Sequence, residues 1–433
     1  MPLEVVDARA ESGVPEVFRR HRDWSRPELA RDIATVRRVV DDIRERGDEA
    51  LIHYSRVVYG AELSPATLPV SVADRDKAAG RVERKVREAL EAAATNIRAF
   101  HEAQRPQDWS LDREGATVGQ VFRPIRRVGI HAPAGGFPLP SSLLMTVVPA
   151  LVAGVDEIAL CCPADTTGAP PDVMLAAAEV CEVEEIYRIG GAHAIAALAF
   201  GTDTIRPCDK VAGPGGLYTT LAKREVFGSV GIDGLFGPSE SVVVADDRAR
   251  PAYAAAELLT QAEHDPEAAA VLVTTSEEVL SACLKEVEAQ LQSLPNVADI
   301  REALANHGLA VLVRDFDQAA QIVNELAPEH VCLQVEDPPA LLSKLRAAGA
   351  VMMGDDTPAT VSDYCAGPSH VLPTARTARY QSGLGVRDFL VAMNTVEYSR
   401  QALFREAPIA DALASAEGLQ AHREGLHARL EER

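Results

Sequence analysis

Between Arg127 and about residue 353, short apolar runs alternate with alanine-rich stretches of helical periodicity. Apolar runs without a polar face are typical of strands buried on both sides, as in parallel sheets covered by helices. The repeat predicts two successive βαβ units, and therefore an α/β fold. The predicted strands are VGIHA, EIALCC, EIYRIGG and KVAGPGG in the first unit, and ESVVVAD, AVLVTTS, LAVLV, HVCLQV and AVMMG in the second.

Helical segments are expected on either side of these units. Ser25 and Glu28 form a capping-box pattern at the start of the first amphipathic helix. The apolar positions of the two N-terminal helices are Ile33, Val36, Val40 and Ile43, and then Val82, Val86, Leu90, Ala94, Ile97 and Phe100. The tail from about Thr395 is polar and is also predicted to be helical.

The charge balance excludes two classes of partner. The chain has 43 Lys and Arg against 64 Asp and Glu, a formal net charge of −21. Such a field repels phosphate backbones and anionic lipid, so we expect no nucleic-acid and no membrane partner. The uncharged run from Val128 to Val155 is long enough to cross a bilayer, but its prolines and the Gly135-Gly136 pair predict a strand, a loop and a helix instead. The acidity itself indicates either a solvated surface or a supply of metal-binding carboxylates.

The cysteines indicate a reducing compartment. Their number, seven, is odd, and no CxxC pair occurs, which argues against a disulfide framework and against a structural zinc ribbon. The first residues, Met1 to Glu4, do not have the pattern of a signal peptide. We therefore expect a cytoplasmic protein.

One helical segment carries side chains suited to binding a metal ion. Gln261 and His264 in LLTQAEHD are three residues apart and share a helix face. A pair of this kind is more often a hydrogen-bonded surface pair, and that alternative stays open. Further residues of metal-binding type occur in loops with Ser and Gly, namely Asp363, His370, Glu417 and His422. Imidazole, carboxylate and amide donors together suit zinc.

Two other motifs have chemical potential. Glu329 and His330 are adjacent after Pro328, where a loop can turn an imidazole and a carboxylate toward one pocket for proton transfer. A solvated turn is an equally good interpretation of that pair. The turn Gly213-Pro214-Gly215-Gly216 lies between a predicted strand and a predicted helix. It suits close approach of a phosphate, although a simple tight turn is the commoner explanation.

Several longer blocks resemble the histidinol dehydrogenase family and occur in that family's order. They are PSSLLMTVVPALVAGV, GGAHAIAALAFGT, GIDGLFGPSESVVVAD, LLTQAEHD, LAPEHV, SDYCAGPSHVLPT and EGLQAH. The resemblance implies a cytoplasmic homodimer with one zinc ion per subunit. It also implies an NAD-dependent oxidation of L-histidinol through L-histidinal to L-histidine.

The resemblance also implies a domain plan of two Rossmann-like parallel-sheet domains with helical N- and C-terminal segments. The expected boundaries are an N-terminal helical segment at residues 1–25, a first α/β domain at residues 26–131 and 239–384, a second α/β domain at residues 132–238, and a C-terminal helical segment at residues 385–433. The first domain would hold the zinc and catalytic residues, the second would bind NAD, and the tail would contact the other subunit of the dimer.

Site residues follow from the resemblance position by position. The implied zinc ligands are Gln261, His264, Asp363 and His422, and the implied catalytic pair is Glu329 and His330. The implied substrate contacts are Ser239, Gln261, His264, His330, Asp363, Glu417 and His422. In the family, the segment that holds the last two residues reaches into the neighbouring subunit's site. The family's NAD positions are occupied here by His131, His193 and Gly216, where the family pattern has Tyr, Gln and Asn.

Other functions remain open from the residues alone. A related zinc and NAD dehydrogenase could act on another small polar alcohol or diol. A zinc hydrolase could use the same metal-binding residues to activate water, and a non-catalytic acidic scaffold could retain the fold. A thiohemiacetal route through Cys365 or Cys332 is not supported by the family pattern, which contains no nucleophilic thiol.

Overall fold

The chain folds into two compact units of unequal size. The structure, a computed structural model, describes residues 3–11, 29–134 and 137–431. The first unit comprises Met1–Gln104 and Arg126–Phe389, and the second comprises Arg105–Ile125 and Leu390–Arg433. The predicted capping box at Ser25 and Glu28 lies outside the described residues.

Fifteen strands and sixteen α-helices occur in the described residues. The strands are β1 (Glu4–Asp7), β2 (Pro69–Val70), β3 (Trp109–Asp112), β4 (Ala116–Pro124), β5 (Arg127–His131), β6 (Glu157–Cys161), β7 (Glu185–Tyr187), β8 (Lys210–Ala212), β9 (Gly231–Ile232), β10 (Glu240–Ala245), β11 (Ala269–Thr274), β12 (Gly308–Leu312), β13 (His330–Gln334), β14 (Ala350–Met353) and β15 (Leu390–Tyr398). The helices are α1 (Ala30–Arg46), α2 (Asp48–Tyr59), α3 (Val72–Ala79), α4 (Arg84–Ala103), α5 (Pro140–Ala153), α6 (Asp172–Val180), α7 (Gly191–Phe200), α8 (Leu217–Val226), α9 (Pro251–Ala262), α10 (Glu277–Leu291), α11 (Val297–His307), α12 (Phe316–Leu326), α13 (Pro338–Leu342), α14 (Ala359–Tyr364), α15 (Arg400–Ala416) and α16 (Gln420–Leu430), with short 3₁₀ helices at Thr377–Arg379 and Val386–Phe389.

The first sheet has six parallel strands in the order β1-β12-β11-β10-β13-β14. Successive residues of β10 face opposite sides of it. Val243 and Ala245 join a core formed with α9, α10 and α11. Val242 and Val244 join a second core formed with α12 and α13. Because both faces are covered by helices, these strands are apolar without alternation, as the sequence predicts.

The second sheet also has six strands, in the order β2-β7-β6-β5-β8-β9. Its neighbours are parallel except for β2, which runs antiparallel to β7. Helices α1, α2, α7 and α8 bury their apolar residues in one core with this sheet. Helix α5 packs on β5, and α4 and α6 pack against α5. The mixed α/β class with parallel-sheet domains is therefore confirmed.

The early part of the chain joins a different sheet from the expected one. Residues 26–131 were expected to fold with residues 239–384. Instead, β2 and β5 pair within the second sheet, and α1 packs against α7 and α8. The cause is the apolar face of α1, whose buried residues lie in the core of the second sheet. Residues Arg105–Ile125 belong to the second unit, and β1, inside the predicted N-terminal helical segment, is an edge strand of the first sheet.

The second unit contains an antiparallel sheet in the order β15-β4-β3, followed by α15 and α16. The C-terminal segment is thus not helical from its start, because β15 pairs with β4 along its whole length. Eight of the nine residues of β15 are exposed in the single chain, and α16 has no buried residue.

The uncharged run from Val128 to Val155 forms most of β5, a turn and α5, with Pro140 in the first turn of the helix. Gly135 and Gly136 lie outside the described residues. Among the described helices, none combines the length and the apolar character needed to cross a bilayer.

The turn after β8 requires glycine at its first position. Gly213 has a φ of +111°, and a Cβ there would lie 2.1 Å from the carbonyl oxygen of His131. Gly216, three residues later, has a φ of −67° and open space around its missing side chain. The two glycines therefore make opposite demands on a substitution.

We expect Gly213→Ala to lower the free energy of unfolding by about 3 kcal/mol or more, because the new methyl group adds a backbone clash to an unfavourable φ. Gly216→Ala is the matched control and should cost less than about 1 kcal/mol, since only the helix N-cap preference changes. Urea unfolding followed by circular dichroism measures both. Equal losses would contradict the close approach of β5 to this turn.

Candidate active site

A buried cluster of two carboxyl groups and an imidazole lies where β13 begins. His330 is the first residue of β13, Glu329 precedes it, and Asp363 is on α14. The Nε2–H of His330 donates to Asp363 Oδ1 at 3.1 Å, and His330 Nδ1 lies 3.8 Å from Glu329 Oε2. Glu329 Oε2 accepts the main-chain N–H of Glu240 at 3.0 Å. His330 Nδ1 is buried and has no hydrogen-bond partner among the described residues, so it is the ring atom left to exchange a proton.

The protonation of this cluster follows from burial and from mutual charge. Burial lowers the pKa of His330, but the carboxylates of Glu329 and Asp363 outweigh burial and raise the pKa to about 9. Burial raises the pKa of Glu329. Burial also opposes ionisation of Asp363, but the hydrogen bond and charge of His330 prevail and lower its pKa. Asp363 is thus the ionised partner, and Glu329 is a carboxyl group that protonates more readily than an exposed one.

The cluster lies at the amino-terminal edge of the first sheet. Ligands of parallel α/β sheets commonly bind beyond the carboxyl ends of the strands, and the glycine turns after β7 and β8 lie at that edge of the second sheet. Glu329 and His330, however, stand at the start of β13, and Glu240 stands at the start of the neighbouring β10. In the first sheet these polar residues are therefore carried by the loops that enter the strands.

His370 links this edge to the helix that follows β5. Its Nδ1–H donates to the carbonyl oxygen of Asp363 at 2.7 Å, and its Nε2 lies 2.9 Å from Ser142 Oγ near the start of α5. Since a carbonyl oxygen can only accept, Nε2 is the acceptor for the serine hydroxyl. Burial lowers the pKa of His370. This neutral histidine is therefore a fixed bridge between the amino edge of the first sheet and the carboxyl edge of the second.

Gln261 is in the last turn of α9, but His264 lies two residues beyond the end of the helix, so the predicted shared helix face does not extend to it. Gln261 is buried, and its Nε2 has no hydrogen-bond partner in the described part of the chain. His264 is exposed, and a charge on it contributes to lowering the pKa of Asp363. Within residues 3–11, 29–134 and 137–431, no group of three or more His, Cys, Asp and Glu is arranged to hold a metal ion. Gln is not one of those four residue types. If the amide oxygen and nitrogen of Gln261 exchange positions, the oxygen can face a cation.

His131 forms hydrogen bonds inside the protein with both ring nitrogens. Its Nδ1–H donates to the carbonyl of Pro214 at 2.8 Å, and its Nε2 accepts the N–H of Gly191 at 3.0 Å. The first partner belongs to the turn before α8, and the second is the first residue of α7. Burial lowers the pKa of His131 to about 4. The ring thus holds two glycine-rich turns together and leaves their helix N-termini as donors of main-chain N–H groups.

The other two positions that the resemblance assigns to the cofactor differ from each other. His193 is buried in α7 with its Nε2 3.4 Å from Ser55 Oγ, and its ring stacks with that of Tyr54 at 6.2 Å. Burial lowers the pKa of His193 to about 3. Gly216 directly precedes α8 and is open. Any contact with a ligand at these turns would therefore be made by the main chain rather than by the histidine rings.

The remaining predicted residues lie in two places. Ser239 is half-buried in the loop just before β10, which places it in the first unit beside Glu240. Glu417 follows α15, and His422 is in α16, so both belong to the second unit, where both are exposed.

The buried thiol of Cys332, near the cluster, does not resemble a nucleophile. Cys332 is buried, and burial raises its pKa well above the usual value for a thiol. Cys365 is exposed and follows α14 directly. A nucleophilic cysteine requires a lowered pKa, so the thiohemiacetal route receives no support from Cys332.

Two features of the site escaped the sequence interpretation. Glu257 on α9 accepts the N–H of Ala359 at 3.2 Å and the thiol of Cys332 at 3.6 Å, and burial raises its pKa. Its position four residues before Gln261 was the available signal. Lys223 and Asp233 form a buried ion pair beside Gly213. A lysine inside a helix and an aspartate in a loop gave no signal of that pairing.

Comparisons with known proteins agree with the block resemblance. The family model for histidinol dehydrogenase matches residues 25–430. Histidinol dehydrogenases from Synechococcus sp. and Geobacillus kaustophilus are 43% and 44% identical to the chain, over 92% and 91% of its length and 92% of each of theirs. The crystal structure of histidinol dehydrogenase from Elizabethkingia anophelis is similar with a TM-score of 0.92 at 32% identity, covering 99% of this chain and 98% of that one.

His131 should make stability depend on pH. Its pKa is about 4 in the folded chain against 6.5 for an exposed histidine. As pH falls from 6.5 toward 4 the unfolded chain gains a proton that the folded chain does not, so the native state loses up to about 3 kcal/mol. In His131→Gln the free energy of unfolding should fall less steeply with decreasing pH, by up to about one proton, in urea titrations.

The exposed His53 provides the control for this effect. His53→Gln should leave the pH dependence of the unfolding free energy unchanged, since His53 lies on the surface of α2. If His131→Gln kept the slope of the parent protein, His131 would not be held in its neutral form by the fold.

Proposed function

The chain belongs to the histidinol dehydrogenase family, and we propose that it oxidises L-histidinol through L-histidinal to L-histidine with NAD. The observation that carries the proposal is the buried cluster of Glu329, His330 and Asp363. Removing a hydride from an alcohol requires a base for the hydroxyl proton. Oxidising the resulting aldehyde to an acid requires an added water, and hence a second group that accepts a proton.

His330 is the proposed base for the alcohol. Its Nε2–H is engaged by Asp363 at 3.1 Å, which orients the ring and leaves Nδ1 to accept the hydroxyl proton. An imidazole held between two carboxyl groups is stabilised in its protonated form, and its pKa is about 9, so the neutral form that accepts the hydroxyl proton gains population as the pH rises toward 9. This electrostatic stabilisation favours proton uptake at the step in which the alcohol loses its hydride.

Glu329 is the proposed base for the water that adds to the aldehyde. Because burial raises its pKa, its carboxylate is a stronger base than an exposed one. Its Oε2 is held by the N–H of Glu240, and its distance of 3.8 Å from His330 Nδ1 permits both groups to serve one bound substrate in turn.

Gln261, His264, Asp363 and His422 would hold one zinc ion in each subunit. The donor set contains imidazole nitrogen and oxygen but no thiolate. Zinc accepts such a set in sites that also bind a substrate. Gln261 fits this role when the two ends of its amide are exchanged, because the oxygen would then occupy the buried position where the nitrogen has no partner and could bind the metal. Bound zinc would act as a template that fixes the imidazole and amino nitrogens of the substrate. Ser239 and Glu417 would complete the substrate contacts.

NAD would bind along the glycine-rich turns of the second sheet and accept the hydrides. The turns before α7 and α8 present helix N-termini, which favour a pyrophosphate. At the three family positions the contacts would come from the main chain, because His131 uses both ring nitrogens within the protein and Gly216 has no side chain.

A homodimer would complete the site with the tail of the second unit. Exposed apolar residues are concentrated on β15 and α15, and a patch of this kind indicates a protein partner. They include Val391, Met393, Val396, Phe404, Ile409 and Leu413. We also propose a cytoplasmic location, which suits the seven free cysteines. The net charge of −21 gives no support to nucleic acid or membrane as a partner.

The zinc-loaded protein should convert L-histidinol to histidine with two NADH formed per histidine. In Glu329→Gln we expect the alcohol step to be retained and the aldehyde step to slow by about 10²-fold or more, so that L-histidinal accumulates. In His330→Asn both steps should slow by about 10²- to 10⁴-fold. Single-turnover assays that start from L-histidinol and from L-histidinal, with NADH and histidine both quantified, separate the steps.

Glu325→Gln is the control for these variants, since Glu325 lies four residues before Glu329 and pairs with Arg376 instead. It should keep both rates. Equal losses of both steps in Glu329→Gln would contradict the division of roles, and no turnover of L-histidinol by zinc-loaded protein would overturn the proposed function.

The origin of the tail residues can be tested with mixed dimers. His264→Ala and His422→Ala should each be inactive alone. If His422 serves the neighbouring subunit, a mixed dimer contains one site with both residues intact, and a random mixture should recover about a quarter of the parent activity. If His422 serves its own subunit, every site in the mixture lacks one ligand, and activity should stay absent after denaturation and refolding together.

A further inference from the structure

Glu257 is a buried acid close to the candidate site that the proposed reaction does not use. It is 8% exposed. On α9 it precedes Gln261 by four residues, so these two side chains lie on one face of the helix, and His264 follows two residues after the helix ends. Gln261 and His264 are both proposed zinc ligands.

One carboxylate oxygen of Glu257 contacts two further elements of the site. Glu257 Oε2 accepts the N–H of Ala359, the first residue of α14, at 3.2 Å. Asp363 lies four residues later in the same helix and is therefore on the same face. The same oxygen accepts the thiol hydrogen of Cys332 at 3.6 Å.

Cys332 connects Glu257 to the catalytic strand. It lies two residues after His330 on β13, so the two side chains point to the same face of the sheet. Glu257 is thus hydrogen-bonded to α14, which carries Asp363, and to β13, which carries His330, while its own helix carries Gln261 and leads directly to His264. It also lies within the electrostatic influence of the cluster, because the charges of Asp363 and His330 both act on it.

Side chains that hold metal ligands from behind affect metal binding strongly. Removing such a support typically weakens metal affinity by about 10- to 100-fold. Without the Glu257 acceptor the N–H of Ala359 would be buried and unpaired, and the start of α14 would have to shift to find another partner. A shift of α14 would displace Asp363 relative to His330 and Gln261.

We propose that Glu257 is a positioning residue that fixes α14 and β13 against α9, and so sets the zinc affinity of the site. The proposal rests on the proposed zinc ligands, but it concerns a residue that contacts neither metal nor substrate. It predicts that the carboxylate can be replaced by a neutral acceptor of the same shape, and cannot be replaced by an apolar side chain.

The test uses the full-length dimer, with zinc affinity measured by competition with a chelator and ligand geometry measured by the absorption spectrum of the cobalt-substituted protein. Glu257→Leu should weaken zinc binding by about 10- to 100-fold and alter the cobalt spectrum. Glu257→Gln keeps an acceptor for Ala359 and should stay within about threefold of the parent affinity.

Ala359→Pro removes the donor instead, at a first-turn position that tolerates proline. This variant should lose zinc affinity by a similar factor, and it provides the test if Glu257→Leu does not fold.

Leu258→Ala is the control for a general loss of stability, since Leu258 is buried in the helix core beside Glu257. It should lower the melting temperature and leave zinc affinity unchanged. Parent-like zinc affinity in a folded Glu257→Leu or Ala359→Pro protein would overturn the role of Glu257 and leave the proposed function standing. A parent protein that binds no zinc would overturn the proposed zinc site, and the role of Glu257 with it.

Discussion

A buried ion pair between Lys223 and Asp233 ties the glycine turn after β8 to the start of the segment that leads into the first sheet. Asp233 Oδ2 accepts the N–H of Gly213 at 2.7 Å, and Lys223 donates to the carbonyl of the same residue at 3.0 Å. Asp233 directly precedes the segment that crosses to β10 and therefore leads to Ser239. Removing one partner of a buried ion pair costs about 3–5 kcal/mol of stability. The pair therefore holds the glycine turn firmly against the segment that follows Asp233. The proposed cofactor turns and the start of the first sheet are fixed relative to each other in this way.

Four enclosed histidines in this region differ in the direction of their pKa shifts. Burial is the largest influence on His131, His193 and His370 and lowers the pKa of each, although nearby charges such as Asp233 and Asp363 act in the opposite direction on His131 and His370. His330 is equally enclosed, but two carboxyl groups adjoin it and its pKa is raised. The same side chain is thus a fixed connector in three places and the proposed proton acceptor in one. The distinction depends on nearby charge rather than on burial.

The strands and the residue types of the site could be predicted from local pattern, whereas their assembly could not. The apolar runs identify nine of the twelve strands of the two six-stranded sheets, because burial on both faces leaves a clear local signal. The pattern does not say which sheet a strand joins. Helix α1 packs with the second sheet through α7 and α8, which are distant in sequence, and β2, with two residues, is too short to be recognised. Glu257 and the Lys223–Asp233 pair escaped notice for the same reason, since their partners are distant in sequence.

The position of Glu329 and His330 shows why neighbouring residues can share a site. In a regular strand, adjacent side chains face opposite sides of the sheet. Glu329, however, precedes β13, and its carboxylate turns to the N–H of Glu240 at the start of the neighbouring β10. This hydrogen bond keeps Glu329 beside the ring of His330 at the sheet edge. At the amino-terminal edge of a sheet, where the alternation of side chains begins, an acid and an imidazole that are adjacent in sequence can therefore lie side by side.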